Sequence, residues 1–163
     1  MVSLAELQAE FGPEIAESAF RDNRRIHVPA EKLYAVLAWL KESRGFDMLV
    51  DVTAVDYLEY PGATDRFHVI YLLLNMSSKE RLIVKTALNP PELELRSVVP
   101  LWKGADWMER EVYDMFGVTF AGHPDLRRIL MPEEFTAFPL RKDYPRKGLG
   151  ERHNFPVITR AES

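Results

Sequence analysis

Residues 66–75 read RFHVIYLLLN, and from Val69 to Leu74 the run is apolar without alternation. A strand with one wet face alternates apolar and polar residues. A run apolar on both faces fits a central strand that is covered on both sides or lies under a helix. Two further strand-like runs flank it: MLVDVTAV (48–55) before the turn YPGATD, and ERLIVKTAL (80–88) after the turn MSSK. Such short turns predict antiparallel hairpins.

Working outward, the segments on either side carry helical spacing. Ser3 followed by Glu6 reads as a capping box, with Leu4, Leu7 and Phe11 on one face and Gly12-Pro13 as the stop. Residues Arg24 to Val28 read as a short strand. Pro29 opens a second helix, in which Leu33, Val36, Leu37 and Leu40 fall at i, i+3, i+4 and i+7, and Gly45 closes it. Asn89-Pro90-Pro91 breaks the strand pattern, and a short helical piece is expected from Glu94 to Val99. Asp106 with Glu109 reads as another capping box, so that Glu109 serves the start of a helix whose apolar stripe is Met108, Val112, Met115 and Phe116. Gly117 stands where a C-cap glycine belongs. This order predicts an α+β domain over residues 1–117, a mostly antiparallel sheet packed by helices.

After Gly117 the character changes. Five of the 11 prolines lie beyond it, and the segment 118–163 carries a net charge of +2 against −6 for the rest. No helical or strand period persists, yet Phe120, Leu126, Ile129, Leu130, Met131, Phe135, Phe138, Leu140, Tyr144, Phe155, Val157 and Ile158 recur. A Pro-rich stretch with that many large apolar groups is expected to lie extended along a surface, and a partner protein is the natural one. A chain cut near Met131 is then expected to keep its α+β domain folded.

Composition narrows the chemistry. With 163 residues, 47% of them hydrophobic, the chain can bury a core of its own. A net charge of −4 lacks the basic face of a nucleic-acid binder. There is no cysteine, hence no disulfide, no thiolate metal site and no Cys-ligated iron–sulfur cluster in this chain. The N-terminus has acidic residues and no apolar h-region, and no apolar run approaches the ~20 residues a membrane-spanning helix needs. A cytoplasmic placement, or one on the cytoplasmic face of a larger assembly, is expected.

The densest mixture of charge and aromatic groups is EREVYDMFG (109–117) followed by VTFAGHPDLRRIL (118–130). Paired carboxylates at Glu109, Glu111 and Asp114 are candidates for acid–base work, but a structural reading competes. Arg110 lies four residues before Asp114 and can pair with it on the helix surface. The four histidines stand at least 30 residues apart and form no metal motif, and His123-Pro124-Asp125 reads as a hydrogen-bonded loop. There is no Walker A loop, no G-x-S-x-G nucleophile elbow, and KGLGE is too short for a dinucleotide loop. The basic stretch LRKDYPRKGLGER fits a solvated or protein-bound tail better than a nucleic-acid or lipid contact, given the acidic body.

These residues carry a resemblance. DWMEREVYDMFGVTFAGHPDLRRILMPEEF followed by PLRKDYP, residues 106–145, is similar in order and spacing to the signature of the C subunit of the proton-pumping NADH:quinone oxidoreductase, respiratory complex I. One segment departs: FTAFP (135–139) stands where the family has Trp-x-Gly-His-Pro. The resemblance implies a subunit with no redox centre, in the peripheral arm on the cytoplasmic face of the bacterial inner membrane. Flavin and iron–sulfur clusters are expected on partner subunits. It implies packing on the large quinone-site subunit, the D subunit of the complex, with no membrane span and no nucleic acid. The signature and interface residues it marks are Glu109, Arg110, Glu111, Tyr113, Asp114, Phe116, Gly117, His123, Pro124, Asp125, Arg127, Arg128, Pro139, Arg141, Lys142, Asp143 and Tyr144. No catalytic, cofactor-binding or metal-binding role is expected for them. Ion pairs are expected among Glu111, Asp114, Arg127 and Arg128. A homologous subunit of a related complex (a membrane-bound hydrogenase, a coenzyme F420 dehydrogenase or the photosynthetic NDH complex) is the competing reading, since the electron donor's site lies on another chain.

Overall fold

A computed structural model describes residues 2–21 and 23–151. The first helix, α1 (Leu4–Phe11), carries the expected capping box: Ser3 Oγ accepts from the Glu6 N–H at 3.2 Å, and the Glu6 carboxylate accepts from the Ser3 N–H at 2.8 Å. Two strands follow, β1 (Ala16–Phe20) and β2 (Asn23–His27), paired antiparallel. The helix α2 (Ala30–Arg44) begins at Pro29 and ends at Gly45, whose φ of 72° is the left-handed conformation that closes a helix cheaply only with glycine. Its apolar stripe, Leu33, Val36, Leu37 and Leu40, is buried.

The opening stretch becomes β4 (Phe67–Leu74), between β3 (Met48–Asp56) and β5 (Arg81–Leu88), and both pairings are antiparallel. The five-stranded sheet runs β1-β2-β5-β4-β3, with β2 and β5 parallel. Packing divides the faces of β4. Phe67, Val69, Tyr71 and Leu73 are buried under the helices with Leu82, Val84, Val52 and Ala54, while His68, Ile70, Leu72 and Leu74 alternate onto the other face and stay half-buried. So β4 is covered by described residues on one side.

Two parts of the sequence reading change. The expected helical piece at 94–99 is instead a strand, β6 (Glu94–Arg96), parallel to a further strand, β7 (Thr119–Ala121). That pairing joins residues about 25 apart, and a local propensity cannot register it. The second departure concerns α3 (Ala105–Phe116). Its N-cap is Gly104 with no side-chain cap, and Glu109 turns inward to buried groups rather than back to its own helix start.

Residues 118–151 fold back over the helix side of the sheet. Val118, Phe120 and Phe135 are buried, the Leu140 N–H donates to the Met115 carbonyl at 3.2 Å, and beyond β7 the described segment is turns, bends and irregular chain. The apolar groups at Phe155, Val157 and Ile158 lie outside the described residues. Among the described residues no helix is long and apolar enough to cross a membrane.

Candidate functional site: a helix end tied to its return loop

The signature residues come together where α3 meets the loop 123–131. Asp114, fully buried, is the centre. One oxygen takes the Arg128 guanidinium at 2.6 Å, and the other accepts the backbone N–H groups of Ile129, Leu130 and Met131 at 3.0, 2.7 and 2.8 Å. Burial pushes the carboxyl up, but three amides and a guanidinium outweigh it, and the net shift is downward. Asp114 is therefore held ionised, as the anchor of a loop rather than as a proton donor.

Arg128 is the hub on the loop side. It also donates to the carbonyls of Asp114 and Ala137, at 3.2 and 3.1 Å, and lies 5.3 Å from the centre of the Phe138 ring. Arg110 does not pair with Asp114 as the four-residue spacing suggests. Both side chains face the loop, and Arg110 caps it instead, donating to the carbonyls of Arg127 and Arg128 at 3.2 Å each while stacking over Trp107 at 5.2 Å. Of the expected ion pairs, Asp114–Arg128 forms. Arg127 pairs with Asp125 on the exposed surface at 2.8 Å, and Glu111 is exposed, with no ion pair among the described residues. An exposed pair of that kind contributes about 0–1 kcal/mol.

Glu109 and His123 form a second, drier group. The Ser97 hydroxyl and the Val98 N–H each donate to the Glu109 carboxylate at 2.7 Å, and His123 Nε2 stands 4.0 Å away. Burial raises the Glu109 carboxyl above its usual value despite those donors. The Asp125 N–H points at His123 Nδ1 at 3.0 Å, which makes that nitrogen the acceptor. The proton then sits on Nε2, which donates to the Asp106 carbonyl at 3.1 Å. Pro124 is exposed beside this turn.

The last signature segment closes the structure at the far end of α3. Gly117 ends the helix at φ 74°, and a Cβ there would lie 2.5 Å from the Arg141 guanidinium and 2.6 Å from the Phe138 ring. Glycine is required here by both dihedral and space. Arg141 donates to the Phe116 carbonyl at 2.6 Å and lies over the rings of Phe138 and Phe67. Phe138, part of the FTAFP departure, thus fills the space between Arg128 and Arg141, and Tyr113 packs edge-on against it at 6.4 Å. Pro139 is half-buried beside it. The Lys142 N–H donates to Asp56 at 2.8 Å, Asp143 pairs with Arg66 at 2.7 Å, and the Tyr144 hydroxyl donates to Glu151 at 3.0 Å.

Asp56 and Arg66 carry no signal in the sequence. Asp56 is buried and accepts from Arg66, Lys142 and Leu58, and Arg66 bridges it to Asp143. The group joins the end of β3, the start of β4 and the segment beyond residue 140, a juxtaposition that no local pattern marks. Among the described residues no group of three or more His, Asp or Glu side chains is placed to hold a metal ion. The groove beside Gly117 and Arg141, about 760 Å³, is lined by Pro90, Pro91, Glu92, Leu93, Glu94 and Thr119; the Thr119 hydroxyl donates to the Leu93 carbonyl at 3.2 Å and lies 3.5 Å from the Glu94 carboxylate, an exposed contact at the β6–β7 pairing.

Residues 26–149 match the family described as the respiratory-chain NADH dehydrogenase 30 kDa subunit. The chain belongs to that family. Among its relatives, the NADH-quinone oxidoreductase C subunit of Trichlorobacter lovleyi is 44% identical over 149 residues, covering 91% of each chain. The NADH-quinone oxidoreductase C/D subunit of Bdellovibrio bacteriovorus is 47% identical over 119 residues, 73% of this chain and 20% of that one. Among solved structures, the trypsin-resistant fragment of Nqo5 superposes with a TM-score of 0.67 at 35% identity, covering 76% of this chain and 96% of the fragment. The family's matched region thus contains strands β3, β4 and β5 and the helix–loop clamp built around Asp114, while β1 and most of β2 precede it.

Proposed function

We propose that the chain is a non-catalytic subunit of an NADH:quinone oxidoreductase, holding the peripheral arm together beside the large quinone-site subunit. In that complex electrons pass from NADH through flavin and iron–sulfur centres on other subunits to quinone, coupled to proton translocation. The carrying observation is how the signature's charged groups are used. Glu109, Arg110, Asp114 and Arg128 direct their hydrogen bonds to backbone and side chains of this chain, so they shape a surface and leave no acid–base pair facing a pocket.

That surface has the character of an interface. Trp107 on the first turn of α3, Leu130 in the return loop, and Leu140 and Leu149 beyond it are each more than half exposed. The Bdellovibrio relative, named for both the C and the D subunit, carries the two in one polypeptide, which supports the large quinone-site subunit as the neighbour. The proposed placement is peripheral, on the cytoplasmic face of the bacterial inner membrane beside that subunit. The test is deletion and return of the chain. Membranes lacking it should lose NADH:quinone reductase activity, the wild-type chain should restore it, and the isolated chain should turn over no NADH. Full activity without the chain, or turnover by the chain alone, overturns the proposal.

A further inference from the structure

The face of the sheet opposite the helices is open. Among the described residues no helix or strand lies over it. It carries Met48 and Val50, each 43% exposed, which with half-exposed Leu72 and Ile83 line a groove of about 320 Å³; Ile70 lies next to Leu72 on the same face of β4. Strands apolar on both faces belong to sheets covered on both sides, and β4 is such a strand. None of the described residues supplies its second cover.

The other end of the same face is cationic. Cross-strand register places His27 opposite Lys85 and His68 opposite Ala87, so His27, His68 and Lys85 gather at one end, with Arg25 next along β2. Among the described residues Lys85 has no carboxylate partner; its ammonium lies 5.6 Å from the centre of the Tyr57 ring. His68 Nδ1 is buried without a hydrogen-bond partner among them. The acids nearby are already engaged: Asp65 accepts from Asn89 and Thr64, and Glu14 pairs with Lys32. Burial and then the neighbouring cations lower the pKa of His27 and His68, with Asp65 opposing this at His68, so both imidazoles stay neutral and the charge at this end is that of Lys85 and Arg25.

We propose that this open face is a second docking surface, taking an amphipathic helix of a neighbouring subunit whose apolar side lies on Met48, Val50, Leu72 and Ile83 and whose carboxylate meets Lys85 and His68. A helix laid on a sheet is the ordinary way such a face is buried, and it makes the sheet the middle of three layers. The carboxylate supplies the missing charge. The face lies across the sheet from α3, so the chain joins one neighbour through the clamped helix end and another through the sheet. This inference rests on the reading of the chain as a subunit of a larger complex.

The test uses the complex purified through a tag on this chain. A zero-length carbodiimide joins a lysine only to a carboxylate in contact with it. It should link Lys85 to an Asp or Glu in a helical segment of another subunit, and the link should vanish in Lys85→Arg, whose guanidinium does not react. Val50→Asp should lower the yield of assembled complex about tenfold or more, as a carboxylate pressed against apolar side chains is costly to desolvate. The isolated variant should melt like the wild type, since Val50 is exposed. A complex that co-purifies but shows Lys85 joined only to Asp65 or Glu14 of its own chain, or to a second copy, overturns the inference while leaving the subunit reading intact. So does wild-type assembly of Val50→Asp. Recovery of the tagged chain with no other subunit overturns the subunit reading, and this inference falls with it.

Discussion

Replacing Asp114 by alanine removes one carboxylate and leaves four donors behind. Arg128, 12% exposed at its side chain, keeps the carbonyls of Asp114 and Ala137 but loses its counter-charge. The N–H groups of residues 129–131 lose their shared acceptor. Stranding one partner of a buried pair costs about 3–5 kcal/mol when burial is complete. Leu130 is exposed and its neighbours half-buried, so water reaches part of the loop and the lower end, about 3 kcal/mol, is expected. For a chain of this size that is a melting-temperature loss of roughly 6–12 °C. Asp114→Asn keeps an acceptor for the amides but no charge for Arg128, and should lose about half as much. The pH dependence has a definite sign. Asp114 is held below the usual carboxylate value, its donors outweighing its burial, so its contribution is present above about pH 4 and lost as pH falls through the lower folded value. Wild type and Asp114→Asn should therefore converge in acid. Circular-dichroism melts of the isolated chains between pH 7 and pH 3 measure both effects. A loss below about 2 °C for Asp114→Ala at pH 7, under about 1 kcal/mol, refutes the clamp.

Glu109 should behave in the opposite sense. Burial raises its carboxyl, so its stabilising contribution is complete below the usual glutamate value and is lost as pH rises through the raised folded value. Glu109→Gln should make urea-unfolding stability flatter from pH 5 to 8 and at least match wild type at neutral pH. Gly117→Ala forces a left-handed residue against Arg141 and Phe138 and should cost ~1–2 kcal/mol from the dihedral alone, read as a lower melting temperature. A chain cut after Met131 loses buried Phe135, worth ~1.5–3 kcal/mol, together with the Lys142 amide on Asp56. It should still show the helix and strand signal by circular dichroism, melt several degrees lower and fail to enter the complex on native gels. The isolated chain should show no visible or paramagnetic signal, and a stoichiometric flavin or cluster spectrum would contradict its proposed lack of a redox centre.

What sequence made legible was what is encoded locally. The Ser3–Glu6 box, the stripe of α2 with its Gly45 stop and the β3–β4–β5 meander all rest on spacings of a few residues or on short turns. What stayed hidden depends on contacts between distant segments. β6 needs β7, Glu109 needs Ser97 and Val98, and Asp56 needs Lys142, 86 residues away. The Asp106–Glu109 spacing looked like a cap because a helix start and a buried hydrogen-bond site share the same residue types. At Arg110 and Asp114 the four-residue spacing did place both on one side of α3, but the loop offered each a better partner than the other.

The role proposed for this chain is to hold neighbours in place. Its most direct test is purification from native membranes through a tag on the chain, with the co-purifying proteins counted by quantitative mass spectrometry. The large quinone-site subunit should appear at one copy per copy of this chain, in a preparation that reduces quinone with NADH, and both should be lost when the tagged chain carries Asp114→Ala. Recovery of the wild-type chain alone, or in a stable assembly that lacks the large quinone-site subunit, contradicts it.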